Sequence, residues 1–151
     1  MRFIGPGPAT IVRQVGECIL STVGPVVYMY RLSSASLELD QIAFFYAQFF
    51  IASVSIVRNY IYLADALSSV QLLVWRELDS SLTLAASDFE PFACVASACL
   101  QDGNKLSLVV ADDDANAKVL HYNPRLNVRQ AFLLSSTNSP NDFIVTENKV
   151  A

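Results

Sequence analysis

The sequence predicts an all-β protein built from antiparallel four-stranded meanders, about three blades of a β-propeller and thus a fragment of a seven-bladed ring. Two observations within the chain predict it. The apolar residues come in short runs of five to seven, each closed by turn residues, which is the pattern of hairpins rather than of helices. A strand–turn–strand unit also occurs twice: Tyr60–Asp65 followed by Val70–Trp75 returns as Leu106–Asp112 followed by Lys118–Tyr122. Ten residues separate Asp65 from Trp75 and Asp112 from Tyr122, so the units superimpose with a period of 47, and Tyr30 lies 45 residues before Trp75. A period of this size, with about four short strands in each copy, is the sequence signature of propeller blades.

At 151 residues the chain has the length of one domain, and its composition is 53% hydrophobic with only 16% charged residues. Globular proteins average about 25% charged residues, so this chain must bury much of its surface against itself, a membrane or a partner. The net charge of −4 and the scattered basic residues give no electrostatic footprint for a phosphate backbone, which argues against salt-driven nucleic-acid binding by this segment alone. Cys18, Cys94 and Cys99 form an odd set without an Asn-x-Ser/Thr acceptor anywhere, as expected in a reducing compartment.

Met1–Pro8 reads as an N-terminal loop with no signal peptide. Three runs follow, Thr10–Val15, Cys18–Val23 and Val26–Leu32, separated by Gly16-Glu17 and Gly24-Pro25, the spacing of tight hairpins. Ser33–Asp40 is polar and loop-like. Ile42–Val57 carries no charge and could anchor a small membrane-associated protein, but its 16 residues fall short of the ~20 needed to span a bilayer. Its β-branched and aromatic residues favour two strands joined by a bend near Ala47-Gln48. Ser81–Ser87 reads as the outer strand of its unit, Asp88–Pro91 as a turn, Cys94–Leu100 as the start of the next unit and Arg129–Ser135 as a last strand. The blades are expected at Ala9–Phe50, Ile51–Glu90 and Pro91–Thr137, with residues 138–151 as a polar tail.

The run Asn59–Glu77, with Asp65, Ser69 and Trp75 at its fixed points, followed by Leu82–Pro91 ending in Asp88-Phe89-Glu90-Pro91, resembles the large subunit of the cleavage and polyadenylation specificity factor. That family also contains the large subunit of the damage-specific DNA-binding protein and the third subunit of the splicing factor 3b complex. Leu106–Asn116 with Val119–Pro124 is similar to the polyadenylation branch in particular, and the resemblance extends over Gly16–Pro124. It implies a seven-bladed propeller within a large nuclear scaffold of pre-mRNA 3′-end processing, non-enzymatic, without cofactors, partnered by other protein subunits and touching RNA only through the complex. Related implications are an adaptor for a ubiquitin ligase in DNA damage or a spliceosomal subunit. The family pattern continues into further blades where this chain becomes polar, so a fragment, a truncated gene product or a split subunit is expected.

No residue pattern argues for catalysis. Asp112-Asp113-Asp114-Ala115-Asn116 suggests a calcium loop, but the sixth and twelfth positions hold Ala117 and Asn123 where Gly and Glu are required. Asp65 and Asp112 are better suited to accepting hydrogen bonds from their own turns. His121 is the single histidine and follows no nucleophile elbow, so an outward-facing strand residue is expected; Cys94 and Cys99 lack the C-x-x-C spacing of zinc or redox sites. Tyr30, Trp75 and Tyr122 read as inter-blade core rather than base-stacking platforms. Because propeller faces are built from turns, the candidate contact loops are Ala66, Leu67, Ser68 and Ser69, then Asp79 and Ser80, then Asp113, Asp114 and Asn116.

Overall fold

Apolar runs too short for helices, each ended by Gly, Asn or Asp, fold as strands that turn back on their predecessors. The computed structural model describes residues 7–65, 69–88, 94–103, 105–112, 116–123, 125 and 132–135. Among these are twelve strands and no helix. Strands β1 (Ile11–Val15), β2 (Cys18–Val23), β3 (Val26–Leu32) and β4 (Leu39–Tyr46) form the first sheet. Strands β5 (Ser53–Val57), β6 (Tyr60–Asp65), β7 (Ser69–Arg76) and β8 (Ser81–Ser87) form the second, and β9 (Ala96–Asp102), β10 (Lys105–Ala111), β11 (Ala117–Tyr122) and β12 (Phe132–Ser135) the third. Each sheet is an antiparallel meander with its strands in chain order.

In every sheet two residues of sequence separate the first strand from the second: Gly16 and Glu17, Arg58 and Asn59, Gly103 and Asn104. Sheets one and two also share a bulge between their third and fourth strands. Met29 pairs with Ala43 and Tyr30 with Gln41, leaving Ile42 over; Leu72 pairs with Ala86 and Leu73 with Leu84, leaving Ala85 over. Such an extra residue sharpens the local right-handed twist.

Alternation along the middle sheet divides its side chains between two seams. Ile61, Leu63, Leu73 and Trp75 pack toward the first sheet against Cys18, Leu20, Val27 and Met29. Tyr62, Ala64, Val70 and Leu72 pack the other way, against Leu106, Leu108, Val110 and Leu120. Leu63, Leu72 and Leu73 are fully buried, each contributing about 1.5–3 kcal/mol relative to exposure. A polar stitch supplements the second seam: Ser97 of β9 lies 3.0 Å from Ser53 and 2.9 Å from Ser55, both of β5, hydroxyl to hydroxyl.

The uncharged stretch Ile42–Val57 ends β4, crosses between sheets and forms β5. The bend falls at Ala47-Gln48, where Gln48 has φ of 66°. Ala47 N–H donates to Pro25 O at 2.8 Å and Ile51 N–H to Gly24 O at 3.1 Å, tying the crossing to the β2–β3 turn. Among the described residues no helix is long and apolar enough to cross a membrane.

Three details depart from the sequence expectations. β4 begins at Leu39, inside the stretch expected as loop, because Leu39 and Asp40 pair with Leu32 and Arg31. β9 begins at Ala96 rather than Cys94, since the Cys94 N–H donates to Asp65 O at 3.3 Å. Trp75 does not share the place of Tyr30 and Tyr122: its backbone N–H donates to Asn59 O at the mouth of the β5–β6 turn, whereas Tyr30 stands opposite Ile19 and Tyr122 opposite Phe132, both inside a ladder.

Candidate interaction surfaces

Each sheet presents two rims of turns and, at the ends of the stack, a face. One rim carries the ends of β6 and β10. There the Asp112 carboxylate accepts the backbone N–H of Asn116 at 2.7 Å and its side-chain amide at 2.8 Å, holding the two ends of the β10–β11 connection together. Among the described residues, which leave out Asp113 and Asp114, no group of three side chains could hold a metal ion. Asp65 is buried at the end of β6, with Ser69 of β7 as its ladder partner. Ala66, Leu67, Ser68, Asp113 and Asp114 lie outside the described residues.

Asp79 and Ser80 belong to the opposite rim, in the β7–β8 turn, where Ser80 takes φ of 47° and donates its N–H to Glu77 O at 3.2 Å. The structure therefore separates the expected contact loops by the length of a strand rather than gathering them. Six residues of β6 at about 3.3 Å each put roughly 20 Å between the rims.

On the rim of Asp79 lie two grooves that the sequence reading did not anticipate. The larger, about 470 Å³, runs between sheets one and two, floored by Val15 and Trp75 and edged by Arg58, Arg76, Glu77 and Asp79. Leu78 projects fully exposed beside it. Glu77 is 3.9 Å from Arg31, an exposed pair. The smaller, about 190 Å³, lies between sheets two and three and is lined by Val57, Tyr60, Leu106 and Tyr122, with Arg58, Lys105 and Gln101 as its polar groups. Tyr60 and Tyr122 meet there at a tilt, ring centroids 5.9 Å apart. Tyr122 is half-buried where Trp75 is buried. Burial, and then the Tyr60 ring beside it, pushes the Tyr122 hydroxyl above its ordinary range. The sequence carries only the departure at Arg58, not the grooves: aligned, the residues between the first two strands read Gly16-Glu17, Arg58-Asn59 and Gly103-Asn104.

His121 points away from the second seam, as an outward strand residue, and meets Ser107 with 2.7 Å between Nδ1 and Oγ. This pairing across β10 and β11 was not expected. Cys18, Cys94 and Cys99 are free thiols. Burial raises both Cys94 and Cys99, the latter to about 11 against an opposing hydrogen bond with Ser55, so neither is an activated nucleophile at neutral pH.

The end face of the stack on sheet one is apolar and open. On the outer face of sheet one Val12, Leu32, Phe44 and Tyr46 are each at least half exposed, Phe44 at 66%. On the third sheet Leu100 is exposed on the face that carries His121.

Consecutive four-stranded meanders stacked through apolar seams define this chain as a set of β-propeller blades. More particularly, it belongs to the family described as the CPSF A subunit region, whose profile matches residues 6–139. It is similar to cleavage and polyadenylation specificity factor subunit 1 of Arabidopsis thaliana, 34% identical over 80% of this chain, and to the probable subunit 1 of Oryza sativa subsp. japonica, 33% identical over 80%. The Drosophila melanogaster subunit 1 is 26% identical over 78% of the chain. In each case the chain spans 8% of the relative's length.

Proposed function

We propose that this chain is a non-enzymatic interaction module of the nuclear machinery that cleaves and polyadenylates pre-mRNA, meeting other protein subunits directly and RNA through them. The observation that carries the reading is the open apolar face of sheet one, with Phe44 and Tyr46, in a chain whose relatives are named as cleavage and polyadenylation specificity factor subunits. An apolar surface of this kind marks a binding face. The turn residues Ala66–Ser69, Asp79, Ser80 and Asp113–Asn116 supply polar contacts around it, and Asp65, Trp75, Asp112 and Tyr122 hold the repeat together.

Affinity purification of the tagged chain from nuclear extract, with mass spectrometry of what accompanies it, tests the reading. Co-purification of other cleavage and polyadenylation subunits is expected, and it should diminish when Phe44 and Tyr46 are both replaced by Ser. Recovery without any such subunit, or undiminished recovery with the double variant, would overturn it.

A further inference from the structure

The turn that opens the second sheet is built against its own backbone preference. In the corresponding turns Gly16 and Gly103 take φ of 58° and 55°, which glycine adopts at no steric cost. A Gln two residues earlier donates to the glycine carbonyl in both, Gln14 at 3.0 Å and Gln101 at 3.2 Å. In the middle sheet the same place is held by Arg58 at φ of 55°, and the residue two before it is Ile56. A side chain in this region carries a steric penalty, and residues so held cluster where a site needs them.

Arg58 is also the residue that edges both grooves. Among the described side chains the smaller groove holds an apolar floor with two cations, Arg58 and Lys105, an amide and no carboxylate, although the chain as a whole carries −4. At about 190 Å³ it is below the ~300–1,000 Å³ of small-molecule sites and suits a single inserted side chain. We infer that the smaller groove docks an acidic segment of a partner protein, with one apolar side chain set against Tyr60, Leu106 and Tyr122 and neighbouring carboxylates paired with Arg58 and Lys105. A polynucleotide fits less well, because a chain of net charge −4 with scattered basic residues offers no continuous track for a phosphate backbone beyond these two cations. The inference deepens the interaction-module reading, but it can fail while co-purification with subunits succeeds.

The test is fluorescence anisotropy on the full 151-residue chain with a short labelled peptide alternating Glu with Leu and Phe. A Lys-for-Glu peptide and an oligouridylate serve as competitors. The acidic peptide should bind, more weakly as salt rises. Arg58→Gly and Lys105→Gln should each weaken it about threefold to fivefold, the range of exposed charge pairs. Arg58→Gly should at the same time raise Tm by about 2–4 °C, because glycine relieves the turn, which separates lost binding from lost folding. Unchanged affinity in both variants, equal binding of the Lys peptide, or displacement by oligouridylate in preference to the acidic peptide would overturn the proposal.

Discussion

Trp75 fastens the first seam at one rim: its indole is buried between sheets one and two while its backbone closes onto Asn59. Trp75→Ala should therefore cost about 3–5 kcal/mol, the range for a core aromatic, read from the urea midpoint. Retained stability would mean that the seam does not depend on the ring. Cys99 and Tyr62 make the same seam-to-stability link through protons. Burial is the largest cause in both, pushing Cys99 from 9.0 to about 11 and Tyr62 in the same direction. Each is neutral when protonated, and the folded chain holds its proton more tightly than the unfolded chain. That stability is complete below about pH 9 and is lost as pH climbs through about 11. Tm measured across this window should fall, and Cys99→Val should flatten the first part of the fall; a Tm constant to pH 11 would contradict the burial of both groups.

At the scale of the strand and its turn, glycine and arginine should respond oppositely to exchange. A Cβ on Gly16 would meet nothing within 4 Å, so Gly16→Ala isolates the cost of a side chain at φ of 58°. About 1–2 kcal/mol of destabilisation is expected from denaturant unfolding, and none if the turn relaxes. The strands themselves were legible in the sequence because turn residues bracket them; Ser81–Ser87 is found where the pattern puts it. The places of Tyr30, Trp75 and Tyr122 were not legible, because an aromatic spacing at or near the period says nothing of which ladder position a residue takes. The register, which sets Tyr30 opposite Ile19, decides that. The grooves were hidden for a further reason. Val15 of sheet one meets Trp75 and Arg58 of sheet two only through the packing of neighbouring sheets, and strand alternation within one sheet carries no information about which turns of the next will stand beside it.

For the molecule as a whole, three sheets packed side by side leave a face open at each end, the one on sheet one apolar with Val12, Leu32, Phe44 and Tyr46, the one on sheet three with Leu100 exposed. Closure is what hides such surfaces in a complete ring. The chain alone should self-associate at micromolar concentration by light scattering, and a monodisperse monomer would argue for a self-contained sandwich instead. The two faces are different surfaces, so copies that meet through them must do so head to tail, without a two-fold axis between them. Such an interface repeats one rotation at every step and ends either in a closed circle or in a thread of indefinite length. Two copies together hold six sheets, within the ~4–8 that circles of blades employ, while any mismatch of the rotation leaves the thread growing.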